Sequence, residues 1–448
     1  MTQKPQDVTF AIKPNQKSRA IADKQKKHIW SAVSLFYKDP VAIDKGEGLY
    51  VWDADGNQYL DFFGGILTTS VGYNHPKIVK RIAEQAAKVM HTSTLYPIKN
   101  MADLGEKMAE ITPDGLDTSF FTNSGTEANE MAVLAAREYT GNHDFFALRH
   151  AYSGSSNLTK TMTAQHTWRF NSNDASGIKY TMNAYCYRCP LKLKPESCGT
   201  ACAQDFENAV KTMSSGRIAG ILCEPIQGVG GFITPPPDFF KIIAEIVRQY
   251  GGVFIADEVQ GGFGRTGKHW FSISHWGVNP DIMTMAKGIA NGMPMGNTIT
   301  RAEISDCLKS EALLLSTYGG NPLATAASLA TIEVLEEEAG PEHVEKMGNL
   351  LRKGLEKLYE KYSLIGEVRG KGLMQAVELV KDRQTKEPAV AELMHLFEET
   401  KARGLLIGKG GLLGNTVRIT PPMTCNEDHI AKALDILDVS FAAVQKAR

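Results

Sequence analysis

Three short stretches place reactive side chains at the edges of apolar runs. In "DIMTMAKGIANGMPMG", Lys287 follows an apolar run and precedes a glycine-rich turn. An amine in that setting can be partly desolvated and its pKa lowered towards nucleophilicity, as a Schiff-base lysine requires. In "GGVFIADEVQGGFGRTG", Asp257 ends a run apolar enough for an interior strand, where a carboxylate must meet a cation or a donor. In "FTNSGTEANE", a strand ending at Phe121 passes through Ser124, Gly125 and Thr126 into a helix beginning at about Glu127. Backbone N–H groups and the helix dipole converge on that turn, which makes it a seat for a phosphate. Each stretch also has a plainer reading: a snorkelling surface lysine, a salt-bridged acid, and a helix N-cap by Thr126.

The elements that must position these groups follow from periodicity. Residues 118 to 300 alternate short apolar runs ("TSFFTN", "DFFALRH", "IAGILCEPI", "VFIADEV", "IMTMAKG") with amphipathic helical segments, the pattern of a mostly parallel sheet covered on both faces. Chemistry in such sheets gathers at the C-terminal ends of the strands. Upstream, "GLYVWDADGNQYLDFFGGI" reads as a hairpin with an Asp-Gly turn, and helical spacing follows over 78–90 and in "NMADLGEKMAEIT". Beyond residue 320 the chain reads as long charged helices with short strands around "IGEVRGKGLMQAVELV" and "GNTVRITPPM". That is an α+β pattern whose strands are expected to pack with the N-terminal hairpin, giving a small discontinuous domain.

Composition narrows the classes. With 49 Lys+Arg against 50 Asp+Glu over 448 residues, no global field favours nucleic acid or an anionic membrane. No stretch has the roughly 18 apolar residues of a membrane span, and the polar N-terminus lacks a secretory core, so a cytoplasmic location is expected. Gly262, Gly264 and Gly267 spell G-x-G-x-x-G. The aromatic, polar "KHWFSISHWG" that follows is a poor opening helix for a dinucleotide fold, and such a unit would normally begin its domain. Cys186, Cys189, Cys198 and Cys202 crowd one segment. Four thiolates around Zn²⁺, disulfides, or free thiols in a surface insertion are all open readings, and nothing ties the segment to the chemistry above.

The motifs "SGTEA", "EPIQGVGG", "IADEVQGGFGRTG", "MAKGIANGMPMG" and "STYGGNPLATAASLA", in that order between about Gly46 and Pro422, resemble the class III (ω-amino acid) aminotransferases, and within them the alanine–glyoxylate type-2 branch. The resemblance implies an α/β chain of PLP fold type I (aspartate aminotransferase-like). Residues 1–70 would form an arm and hairpin belonging to the small domain, 71–325 a large pyridoxal-phosphate-binding domain, and 326–448 the C-terminal small domain.

The same resemblance implies roles for individual residues. Lys287 would form the Schiff base with pyridoxal 5′-phosphate and then shuttle a proton between the substrate Cα and the cofactor's C4′. Asp257 would face the pyridine nitrogen and keep it protonated. Val259 would pack on one ring face and Tyr152 on the other, with Ser153 standing where many members carry histidine. Gln260 would bond the phenolic oxygen. Ser124, Gly125 and Thr126 would seat the phosphate, and Thr317 would reach it from the neighbouring subunit of a homodimer, or dimer of dimers, with shared sites. Arg418 would clamp the substrate carboxylate. Glu224 would lie near the cofactor and pair with Arg418, and Gly65 and Ile66 would line the substrate entrance. The expected reaction moves an amino group from alanine, β-alanine or another ω-amino acid to pyruvate or glyoxylate, with no resident metal. The alternatives are 2-oxoglutarate as acceptor, or a lyase reaction on the same cofactor residues.

Overall fold

The computed structural model describes residues 12–309 and 312–448, so the first part of the N-terminal arm lies outside the described residues. Strands β1 (Ile43–Glu47), β2 (Tyr50–Asp53) and β3 (Gln58–Asp61) form an antiparallel meander. Its β2–β3 turn passes through Gly56, at φ +82°, the left-handed conformation that glycine adopts at low cost.

The central sheet is built from β4 (Thr118–Thr122), β5 (Phe145–Leu148), β6 (Ile178–Thr181), β7 (Gly220–Cys223), β8 (Val253–Asp257), β9 (Ile282–Met285) and β10 (Gly296–Thr300). Their spatial order is β4-β10-β9-β8-β7-β5-β6. All contacts from β9 to β6 are parallel, and β10 runs antiparallel to both of its neighbours. Every residue of β5, β7, β8 and β9 is buried. That explains why these strands read as continuous apolar runs: both faces of a parallel sheet are covered by crossover helices. The Phe239–Gln249 helix buries Phe239, Phe240, Ile243 and Val247 against the sheet, and Pro322–Glu338 is buried along most of its length.

Two boundaries differ from the sequence reading. The helix after β4 starts at Gly125, because Ser124 rather than Thr126 is its cap, its hydroxyl accepting the Glu127 N–H at 3.2 Å. The helix expected over 78–90 spans Pro76–Ala86.

The C-terminal strands β11 (Ile365–Lys371), β12 (Met374–Leu379), β13 (Leu405–Leu406), β14 (Gly408–Gly410) and β15 (Thr416–Ile419) also divide differently from expectation. Here β11-β12-β15-β14 is a separate sheet, and only the two-residue β13 joins the hairpin, parallel to β3. The free edge of the hairpin is closed by that short strand, with Leu60 N–H donating to Gly404 O at 2.8 Å and Phe62 N–H to Leu406 O at 2.9 Å. Thr420 N–H then donates to Phe62 O at 2.7 Å, stitching the end of β15 to the same segment.

Candidate active site

Adjacent strands deliver the titratable side chains to one place. Glu224 follows β7, Asp257 ends β8 and Lys287 stands two residues beyond β9, so the order β7-β8-β9 sets three ionisable groups side by side at the C-terminal edge, with strands about 4.8 Å apart. With Ser124, Gly125 and Thr126 they line a cavity of about 290 Å³. Tyr152, Val259 and Gln260 line the same cavity.

Asp257 is held by donors. Asn129 Nδ2 donates to its Oδ2 at 2.9 Å and the Val259 N–H to its Oδ1 at 3.0 Å. Asn129 is itself oriented, donating to Ser153 O at 2.8 Å and accepting the Thr284 hydroxyl at 2.7 Å. Burial raises the Asp257 pKa, while the bonds from Asn129 and Val259 and the charge of Lys287 oppose the rise. The neighbouring Glu258 points to the other side of the strand, as alternation requires. There it accepts the Ser272 hydroxyl at 2.5 Å and the Ile273 N–H at 2.7 Å, so only the first acid of "DEVQ" serves the cavity.

Lys287 adopts φ +47°, an uncommon conformation for a side-chain-bearing residue. Desolvation lowers its pKa, and Arg418 adds to the lowering, while Asp257 and Glu224 oppose it. Glu224 is pushed up first by burial and then by Asp257. Its oxygens accept the Tyr152 N–H at 3.0 Å and the Gly228 N–H at 2.8 Å.

The amides of Gly125 and Thr126 precede the first intrahelical bond, from Ala128 N–H to Ser124 O at 3.0 Å. They are therefore free of the helix ladder, as at any helix N-terminus. The Thr126 hydroxyl accepts the Ser155 N–H at 3.1 Å. Gly125 lies so close to Val259 that a Cβ would sit 3.1 Å from its Cγ2.

Four expected site residues are not among those lining this cavity. Thr317 is exposed on the chain's surface. Gly65 and Ile66 sit in the turn Gly64–Leu67, at φ +59° and +68°, a costly conformation for a β-branched isoleucine; Thr68, just beyond, does line the cavity. Arg418 is buried but makes no ion pair with Glu224, whose oxygens are both taken by backbone amides. Its guanidinium lies 4.9 Å from the Phe63 ring centroid and 5.6 Å from that of Phe232, with Nε donating to Lys409 O at 2.8 Å. Desolvation pulls its pKa down to about 10. A buried cation held only by rings and carbonyls is suited to an incoming carboxylate. Sequence reasoning missed Asn129 and Thr68. Asn129 stands inside the quoted "SGTEANE", one helical turn beyond the phosphate turn, and that spacing was its only signal.

These residues fit pyridoxal phosphate. The amides that start a helix, a donor-held acid and an amine line one cavity. The Gln260 side-chain oxygen and the Ser153 hydroxyl are buried without partners, polar handles that a bound group would satisfy.

Elsewhere, the four clustered cysteines carry no disulfide and line a separate cavity of about 20 Å³. Among the described residues no group of three metal-type side chains has metal-holding geometry, and no helix is long and apolar enough to cross a membrane.

A family model described as aminotransferase class-III matches residues 36–441. The chain is 40% identical over 422 residues to the alanine–glyoxylate aminotransferase 2 homolog 2, mitochondrial, of Arabidopsis thaliana, covering 94% of this chain and 87% of that one. It is 38% identical to a leucine/methionine racemase of Thermococcus litoralis, covering 91% and 92%. Among solved structures, an amine transaminase from an uncultivated Pseudomonas species in its PLP-bound form superimposes with a TM-score of 0.86 at 30% identity, covering 93% and 98%.

Proposed function

The chain belongs to the class-III aminotransferases, and on that premise we propose that it moves an amino group from alanine, β-alanine or another ω-amino acid to pyruvate or glyoxylate, with Lys287 as the cofactor-bearing amine. The observation that carries this reading is the meeting of Lys287, Asp257 and the Ser124–Thr126 turn around one cavity.

Pyridoxal phosphate, when bound, supplies a reactive aldehyde and a ring that accepts electrons from the substrate's Cα. The chain's own residues do the rest. Burial favours the neutral amine of Lys287, so this amine would hold the cofactor and would carry the proton taken from the substrate Cα. Asp257, held by Asn129 and Val259, sets its charge towards the ring nitrogen. Val259 and Tyr152 would confine the ring faces, Gln260 would offer its amide to the phenolic oxygen, and the Gly125 and Thr126 amides would hold the phosphate, all of them lining the one cavity. Arg418 binds the substrate carboxylate, orienting Cα towards Lys287.

We infer a homodimer: Thr317 is exposed and stands outside this chain's own cavity, as a residue that would complete a neighbouring subunit's phosphate seat. A cytoplasmic location is the reading of composition. The Arabidopsis relative is named as mitochondrial, which weighs against it, and fractionation decides.

A donor-by-acceptor panel, read by half-reaction spectra of the bound chromophore, tests the activity; absence of amine transfer for every pair refutes it. The panel includes 2-oxoglutarate, the alternative acceptor. The racemase relative adds a second outcome to measure, inversion at Cα without amine transfer, and elimination products would indicate a lyase. Borohydride reduction followed by peptide mass spectrometry is expected to label Lys287. Lys287→Ala should lose both the label and more than about a thousandfold in turnover, since the variant lacks nucleophile and proton carrier together.

A further inference from the structure

Arg418 leans on a turn rather than on a helix or strand. The Gly228 carbonyl accepts its Nη1 at 3.5 Å and the Phe232 ring centroid lies 5.6 Å from the guanidinium, so two of its contacts belong to residues 228–232. That turn runs through Gly231 at φ +100° and Phe232 at φ +55°, conformations that need support from outside. Part of the support is Gly411 N–H, which donates to Val229 O at 2.8 Å. Another part is a side chain that none of the roles above uses. Arg369 Nε donates to Gly231 O at 2.8 Å and its Nη2 to Thr416 Oγ1 at 3.3 Å. The three groups are packed so closely that a Cβ on Gly231 would sit 3.0 Å from Thr416 Oγ1 and 3.1 Å from Arg369 Nη2. Arg369 on β11 and Arg418 on β15 both stand opposite Ala376. They therefore share one face of the sheet with Thr416, two residues before Arg418. The Arg369 guanidinium thus spans from the turn to the strand that carries Arg418. It is not a second carboxylate seat, because Glu378 accepts its Nη1 at 2.6 Å and Glu367 pairs with the same nitrogen. Glu378 is wholly buried and is also held by Arg188 at 2.5 Å and by the Tyr185 hydroxyl.

We propose that Arg369 is a positioning residue for the substrate carboxylate: by tying Gly231 to Thr416 it keeps the Gly228 carbonyl and the Phe232 ring where they aim the Arg418 guanidinium. This rests on the reading of Arg418 as the carboxylate clamp. A guanidinium clamp binds through a planar fork, whose direction matters as much as its charge. Carbonyls and rings, rather than an acid, align Arg418. Its direction is therefore only as fixed as the turn that carries two of those groups. A lysine at position 369 keeps a positive charge facing Glu378 but lacks the fork that bridges Gly231 and Thr416. The turn then gains freedom, and the loss falls on carboxylate binding rather than on the amine of Lys287.

The test uses the holoenzyme with Arg369→Lys, Thr416→Val and, for reference, Arg418→Lys. Propionate, an unreactive carboxylate, is titrated against the absorbance of the bound chromophore. Its Kd should rise about tenfold in Arg369→Lys and about threefold in Thr416→Val, which removes only the 3.3 Å contact. Valine is close to threonine in shape, so this variant carries the test if the lysine variant does not fold. KM for L-alanine should follow the propionate Kd, with kcat kept within about twofold. Methoxyamine condenses with the cofactor's aldehyde carbon and has no carboxylate. It should react at the wild-type rate in both variants, whereas a merely structural disturbance would slow it as well. Because Arg369 acts through Arg418, adding Arg369→Lys to Arg418→Lys should weaken propionate by less than about a further twofold. Unchanged propionate binding in Arg369→Lys and Thr416→Val, an equal effect on methoxyamine, or full additivity with Arg418→Lys overturns the assignment. Propionate binding that Arg418→Lys itself leaves unchanged refutes the clamp reading, and this inference with it.

Discussion

Asn129→Leu tests whether the acid of the site is made functional by its donors. Leucine nearly matches asparagine in volume but offers no polar atom. The substitution removes the donor to Asp257 Oδ2 at 2.9 Å, the donor to Ser153 O at 2.8 Å and the acceptor of the Thr284 hydroxyl at 2.7 Å. A hydrogen bond to a charged group contributes about 1.5–3 kcal/mol, equivalent to about one to two pKa units at 1.36 kcal/mol per unit. Burial already raises the Asp257 pKa, and losing the Asn129 donor raises it further, favouring the protonated acid. A protonated acid cannot hold a positive charge on the ring nitrogen. The expectation is an acid limb of the kcat–pH profile moved up by about one to two units, with kcat on that limb falling about 10–100-fold at a given pH and recovering as pH rises. The assay is steady-state transamination across pH, paired with thermal unfolding, because the orphaned Thr284 and Ser153 groups also cost about 1–3 kcal/mol each. Thr284→Val, which loosens Asn129 without deleting its bond to Asp257, should shift the limb less. An Asn129→Leu enzyme that is destabilised but keeps the wild-type acid limb would refute the reasoning, since only the electrostatic role moves that limb.

Glu258→Gln probes the buried acid that faces away from the cavity. Burial raises the Glu258 pKa from 4.5 to about 7, so the native state holds a proton that the unfolded state releases. Stability from this group is therefore present below about pH 4.5 and lost as pH rises to about 7, by at most ~3 kcal/mol. The amide still accepts the Ile273 N–H, and the variant should lose less stability between pH 5 and 8 in denaturant titrations; a slope equal to wild type contradicts the assignment. Gly154→Ala would put a Cβ 2.6 Å from Thr159 Oγ1 and 2.7 Å from Thr126 Oγ1, at φ +143°. It should displace the Thr126 turn and weaken pyridoxal phosphate binding about tenfold by equilibrium titration. Wild-type affinity would place the phosphate elsewhere.

Lys287, Asp257 and the Ser124–Thr126 turn were legible because each is a local pattern: a reactive side chain at the end of an apolar run, or a short polar turn between strand and helix. Windows of a few residues encode such features, and alternation along β8 even separates the tasks of Asp257 and Glu258. The parallel core was legible for the same reason, its strands being apolar on both faces. What required the tertiary structure is contact between residues far apart in the chain. Asn129 reaches Asp257 across 128 positions and Thr284 across 155; Glu224 is claimed by the Tyr152 amide, 72 positions away, instead of by Arg418. Likewise β13 closes the hairpin edge where longer strands were expected to, and Arg369 reaches Gly231 across 138 positions. Periodicity determines which face of an element is apolar. Which elements become neighbours depends on strand order and crossover paths, and a hydrogen bond that must lie within about 3 Å is decided only once those are fixed.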